Sequence, residues 1–228
     1  MNTNSEPLKP VVKLNYALSS GLLVLTIIEL IALFVGVWRV ITYLSLPSNP
    51  ILENTSLLVD QIYSAVGQIQ GIAYIPVVIM FAIWLYRMNF NLGSLSNRKM
   101  EFTPGWMIGW YFIPIANLFK PFQGMRELWR FSHKQWYADP SILRWWWGLW
   151  LVVRFFGNSS LPVANGPDAV QNIINGTLLF MLSDGLNVAL DIVALRITAS
   201  IWVAYEENYI NDEEIEIQLL KEEERSSI

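Results

Sequence analysis

Residues Leu22 to Tyr43 form a run of 22 residues that holds one acid, Glu29, one arginine, Arg39, and many β-branched side chains. A hydrocarbon core about 30 Å thick is crossed by about 20 helical residues. The stretch therefore has the length of a spanning helix, and a buried helix of a water-soluble domain is seldom as long. A cleaved signal peptide fits less well, because the run exceeds an h-region and no small-x-small cleavage site follows Leu44. Composition agrees with a membrane location: 54% of residues are hydrophobic, 15% are charged and the mean hydropathy is +0.37. The fold class read from this is an all-α integral membrane protein.

Three further stretches approach the same length. After Leu46, Pro47, Ser48, Asn49 and Pro50, a polar-spotted helical stretch from Ser56 to Gln70 leads into an apolar run, Ile72 to Tyr86, in which Pro76 is expected to place a kink. The third opens Leu143, Arg144, Trp145, Trp146, Trp147 and is short unless Arg144 and the tryptophans mark the interface. The fourth, Thr177 to Ala204, carries Asp184, Asp191 and Arg196. The expected organisation is an N-terminal segment over 1–15, a membrane domain over 16–205 with spans near 22–43, 72–86, 143–158 and 177–204, and a tail over 206–228. From Glu206 to Ile228 there are nine acids and two bases, net −7, against a whole-chain charge of −4.

The remaining charge sets the orientation. Lys9 and Lys13 precede the first span, and eight bases lie between the second and third: Arg87, Arg98, Lys99, Lys120, Arg126, Arg130, Lys134 and Arg144. The loops Ser45 to Gly71 and Gly157 to Gly176 contain no lysine or arginine. The positive-inside rule then makes both termini and the central loop cytoplasmic. Four spans in a plasma membrane fit this distribution, whereas five would divide the central bases between two sides.

Within the central loop, Trp106 to Phe119 is apolar for 14 residues, too few to cross a bilayer and too greasy for an aqueous loop. A broken re-entrant or interfacial element over 103–121 is expected. Pro114 and Pro121 each remove a backbone donor and disfavour helix at the preceding residue, so the break belongs near Pro114, where Asn117 can bond the freed backbone groups. From 122 to 134 a basic amphipathic helix is expected, with Phe122, Met125, Leu128 and Trp129 opposite Gln123, Arg126, Glu127, Arg130 and Lys134. Such a face suits anionic lipid at the cytoplasmic leaflet.

These residues carry a resemblance. Pro104-Gly105-Trp106, Trp110 with Pro114, Asn117 and Pro121, then Glu127 and Trp129, resemble the Pro-Gly-Trp, Trp-x-x-x-Pro-x-x-Asn-x-x-x-Pro, Glu-x-Trp signature of a widespread bacterial family of small membrane proteins known as a domain of unknown function. Trp84-Leu85-Tyr86-Arg87 and Asn91 also look like that family's end of helix two. The resemblance covers about Ile72 to Tyr205 and implies a fold, a membrane location and a bacterial source, but no activity. Relatives with proline-rich or zinc-ribbon extensions differ from this chain, whose acidic tail has no counterpart in the pattern. The motif can be architectural, seating a bent element at the interface, or its broken backbone can line a cavity for a ligand or ion.

Six ionisable side chains fall at membrane depth: Glu29, Asp184 and Asp191 against Arg39, Arg154 and Arg196. Asp184, Asn187, Asp191 and Thr198 recur at helical spacing as one polar stripe. By depth, Glu29 is expected to pair with Arg196, and Arg154 with Asp184 and Asp191. The balanced set can hold the bundle together, or the acids can form a proton or cation path, which a lone four-helix protomer would complete by forming a homo-oligomer.

Chemistry is narrowed by what the sequence lacks. Without cysteine there is no disulfide scaffold, thiolate zinc site, Fe–S cluster or thiol nucleophile, and the single histidine, His133, argues against a histidine relay. His133 itself is expected to be a solvated side chain. No phosphate loop, metal-ligand cluster or nucleophile elbow is present in the sequence, so no catalytic residue, metal or cofactor is expected. The basic loop has no nucleic-acid motif, and lipid headgroups account for it more simply. The leading expectation is a non-enzymatic membrane scaffold or partner-binding protein. The rival is a carrier or channel-like protein for a small solute or ion, using the intramembrane carboxylates and the broken motif.

Overall fold

The computed structural model describes residues 8–45, 53–156 and 169–210. Expectations that fall elsewhere, including the Pro/Ser/Asn loop, the 157–168 loop and the tail beyond residue 210, lie outside the described residues. Every regular element among the described residues is helical: α1 (Val12–Ser45), α2 (Glu53–Leu95), α3 (Pro104–Gly109), α4 (Lys120–Ser132), α5 (Ser141–Phe156) and α6 (Ala169–Tyr205). Short 3-10 turns at Trp110–Phe112 and Ala116–Leu118 link α3 to α4, and a π-helical turn, Glu206–Ile210, prolongs α6.

Among the described residues, three helices are long and apolar enough to cross a membrane: Val12–Ser45, Asn54–Leu95 and Ala169–Ile210. Each exceeds the run that hydropathy marks, because helical hydrogen bonding carries on into the flanking polar residues. The polar stretch from Ser56 and the apolar run from Ile72 are thus one helix of 43 residues that continues through Pro76. Large apolar side chains on these helices face outward, with Phe34 72% and Ile72 71% exposed, as lipid-facing positions require. The described part of α5 has 16 residues. At a rise of 1.5 Å per residue that is about 24 Å, short of a hydrocarbon core.

Contacts divide the chain into two units. The first comprises Met1–Ser19, Met80–Arg144 and Leu195–Ile228, and the second Ser20–Ile79 and Trp145–Ala194. In the first, Leu18 of α1, Trp84, Leu85, Met88 and Leu92 of α2, Met125 and Leu128 of α4, Leu143 of α5 and Ile197 and Ile201 of α6 are fully buried. Asn91 ties three segments together there. Its side chain accepts from the Lys9 backbone N–H (2.9 Å) and donates to the Lys9 carbonyl (2.9 Å) and the Tyr205 hydroxyl (3.2 Å). Trp84 Nε1 donates to Asn15 Oδ1 at 3.2 Å. In the second unit α1 passes close to α6: a Cβ at Gly36 would lie 2.7 Å from Met181 Cγ. Small residues permit such approach between membrane helices.

Candidate functional site

The signature residues fall in the first unit and form a folded cap on α4. Pro104 stands in the first turn of α3, where its missing N–H costs no hydrogen bond. Trp106 and Trp110 pack with ring centroids 4.6 Å apart. The chain then breaks where proline chemistry requires: Ile113, before Pro114, is extended (φ −100°, ψ 110°), and helical geometry returns at Ala116. Pro121 opens α4 and is buried. Beneath the cap, Gly124 faces Met107 so closely that a Cβ there would come 2.8 Å from the Met107 Sδ. A Cβ at Gly105 would meet open space, and packing gives no reason for glycine at that position.

Asn117 differs from expectation. Its backbone N–H donates to the Ile113 carbonyl at 2.7 Å, while its side-chain Oδ1 is buried with no hydrogen-bond partner among the described residues. A 3-10 turn meets the need freed by Pro114, so the side chain is not called on. Glu127 takes a role that spacing does not reveal. Its two oxygens accept the backbone N–H groups of Glu101 (2.5 Å) and Phe102 (3.1 Å), and Asn89 Nδ2 donates to the Phe102 carbonyl at 3.1 Å. The connection between α2 and α3 is thereby fastened to α4. Burial pushes the Glu127 carboxyl up, and the two backbone N–H groups pull against it.

The buried face of α4 is Pro121, Gly124, Met125, Leu128 and Phe131, with Phe122 and Trp129 half-buried at its edges. Arg126 and Arg130 lie on the partly exposed side, and the Lys120 ammonium sits 5.4 Å from the Phe102 ring and 5.6 Å from the Trp110 ring. His133 is not a solvated side chain. Its ring stacks on Trp129 with centroids 4.2 Å apart, its Nε2 is 3.1 Å from Ser200 Oγ and its Nδ1 is 3.0 Å from the Trp129 carbonyl. Helix spacing alone could have shown the Trp129 contact, but α6 reaches His133 only through the tertiary fold. Residues 206–210, read as the start of the tail, also dock here: Tyr209 donates to the Phe131 carbonyl at 2.7 Å and Asn208 Nδ2 to the Ser132 carbonyl at 3.1 Å.

The second unit holds five of the six charges expected at membrane depth, and Arg196 falls in the first. Arg39 Nε donates to Asp60 Oδ1 at 2.8 Å and Arg39 Nη1 to Thr177 Oγ1 at 3.0 Å, while Tyr43 donates to Asp60 Oδ2 at 2.6 Å. Asp60 was not among the six expected charges. Asp184 accepts from Gln70 Nε2 at 3.1 Å, so an amide stands where an arginine was expected. The Arg154 guanidinium lies 5.4 Å from the Trp150 ring. The Glu29 carboxyl feels the like charges of Asp191 and Asp184. Glu29 Oε2 and Asp191 Oδ2 are buried without a hydrogen-bond partner among the described residues. The balanced pairing read from depth is therefore replaced by an Arg39–Asp60 pair and an acidic cluster. Depth arithmetic counts height along each helix but not the rotation that decides which faces meet.

No group of three or more histidine, aspartate or glutamate side chains suited to a metal occurs among the described residues. No curated protein and no solved structure matches the chain. A family profile does match, over residues 51–201, a range that takes in α2, the cap, α4, α5 and most of α6. The chain belongs to that family, described as Domain of unknown function (DUF4328).

Proposed function

We propose that the chain is a non-enzymatic scaffold of a bacterial plasma membrane that crosses the bilayer four times, with both termini and α4 on the cytoplasmic side. The observation that carries this reading is the use made of Glu127. The one carboxylate of the signature holds two backbone N–H groups and so has a structural task. Three long apolar helices support three of the spans. The fourth is α5, whose tryptophans suit an interface and whose crossing returns the chain so that all eight central bases share one side. The segment between α3 and α4 is interfacial: Phe112 is 81% and Ile115 77% exposed, and lipid is the medium that suits them. The basic side of α4 would meet anionic lipid, leaving protein partners or a second copy to engage the remaining surface.

A second reading, a small-solute or ion carrier, is favoured by one observation. Glu29 and Asp191 each leave a buried oxygen without a hydrogen-bond partner among the described residues and repel each other as like charges, as carboxylates that exchange a proton or cation would. The two readings separate in proteoliposomes of phosphatidylcholine and phosphatidylglycerol. A scaffold leaves proton, sodium and potassium permeability at the level of protein-free vesicles. A flux that disappears in the E29Q/D191N double variant would overturn it in favour of the carrier.

A further inference from the structure

Between the α2–α3 connection and α4, within the first unit, lies a cavity of about 430 Å³. This is within the range of about 300–1,000 Å³ typical of small-ligand sites. Four cations line it, Arg98, Lys99, Arg126 and Arg130, with two carboxylates, Glu101 and Glu127. The local charge is therefore +2, and Glu127 already has both oxygens engaged by backbone N–H groups. None of the four cations makes a salt bridge among the described residues.

Three of them are held in place by other means. The Arg98 guanidinium lies 4.3 Å from the Trp136 ring and that of Arg126 5.5 Å from the Phe122 ring, while Arg130 Nε donates to the Ala138 carbonyl at 2.7 Å. Stacking occupies the face of a guanidinium and leaves its N–H edge, and one Nε bond leaves the two Nη groups of Arg130. Four cations against two carboxylates leave an excess of positive charge that repels itself, and an anion relieves that repulsion. A planar fork of donors matches the oxygens of phosphate, and side chains already braced lose little freedom on binding it.

We propose that this cavity binds a phosphate group, either that of a soluble phosphomonoester or that of a phospholipid headgroup. It deepens the scaffold reading by assigning a ligand to the cytoplasmic cap. Only the lipid source depends on that reading, because the soluble source requires no orientation in a membrane.

The test uses the purified full chain. In detergent, sodium phosphate is titrated against sodium chloride at matched ionic strength, with binding read by calorimetry. In nanodiscs, phosphatidylglycerol is compared with phosphatidylcholine. Lys99 makes no hydrogen bond or salt bridge among the described residues, so K99Q removes a cation without disturbing the fold, and about threefold weaker binding is expected. R98Q/R126Q should weaken binding by about tenfold or more. R126K keeps the charge and loses the fork, and should fall between. K13Q makes the same charge change on α1, away from the cavity, and should stay within about twofold of the unaltered chain. Saturable phosphate binding with this ranking supports the site with a soluble ligand, and the same ranking for phosphatidylglycerol alone supports it with a headgroup. Absence of saturable binding by either probe, or a loss in K13Q equal to that in K99Q, overturns it. The flux measurement is untouched by these variants, so the site and the scaffold reading fail separately.

Discussion

Arg39 and Asp60 meet at 2.8 Å, the first six residues before the end of α1 and the second seven after the start of α2. Two antiparallel helices joined by a short loop bring such positions to the same height, so the pair fixes the register of α1 against α2. Thr177 joins α6 to the same guanidinium, and the Tyr63 ring lies 4.6 Å from it.

Breaking this pair on one side should leave a partly buried charge without its partner. Asp60→Asn or Arg39→Gln is expected to lower stability by about 1–3 kcal/mol, less than for a fully buried pair because Asp60 is partly exposed. Exchanging the two residues should recover part of the loss. Thermal unfolding in detergent across the double-mutant cycle measures the coupling, and a coupling indistinguishable from zero would remove the pair from the forces that hold α1 to α2.

Glu29 stands differently, with one buried oxygen unpartnered and two other acids in range. Glu29→Gln should therefore leave stability unchanged or raise it, by up to about 1–2 kcal/mol, since it removes a like charge and a poorly solvated group. A marked loss of stability would show that Glu29 has a cationic partner.

Gly36 permits the approach of α1 to α6. Gly36→Val should cost about 1–3 kcal/mol by overpacking against Met181. The combination with Met181→Ala should restore much of it, because the clash is with one flexible side chain. If Met181→Ala gives no relief, the close approach is not what selects glycine.

His133 carries a pH dependence. Burial, opposed by the Trp129 carbonyl and Glu207, lowers its pKa from the ordinary 6.5. Protonation is thus harder in the folded chain than in the unfolded one. The unfolded state binds more protons below 6.5, and stability falls as pH drops from about 7 through that value. His133→Gln should flatten the dependence of unfolding temperature between about pH 7 and pH 5.5. An unchanged slope would assign it to other groups.

The orientation has its own measurement. Single cysteines at Ser48 and Asn165 should react with an impermeant thiol reagent on whole cells, and those at Ser94 and Ser226 should not. Labelling at Ser94 would reverse the orientation.

The three long apolar helices, the break before Pro114 and the amphipathic character of α4 were legible because each depends on local chemistry: hydropathy, proline sterics and helical periodicity. Partners were less so. Asp60 could have been found by measuring equal distances from the loop between the first two helices, since the pairing follows from a hairpin. The link between His133 and Ser200, the hold of Glu127 on Phe102 and the repulsion between Glu29 and Asp191 arise from tertiary packing, which no periodicity within one helix records.

The Asn91 amide has a consequence for the order in which the molecule is assembled. It lies near the middle of the chain, yet it binds Lys9, made long before it, and Tyr205, made near the end. The side chain is 1% exposed. Its bonds to Lys9 can form as soon as α2 leaves the ribosome, but the bond to Tyr205 must wait until the last helix has been synthesised and has docked. A chain halted before Tyr205 would hold the amide short of one acceptor, a local sign of an incomplete protein that lies far from the halted end.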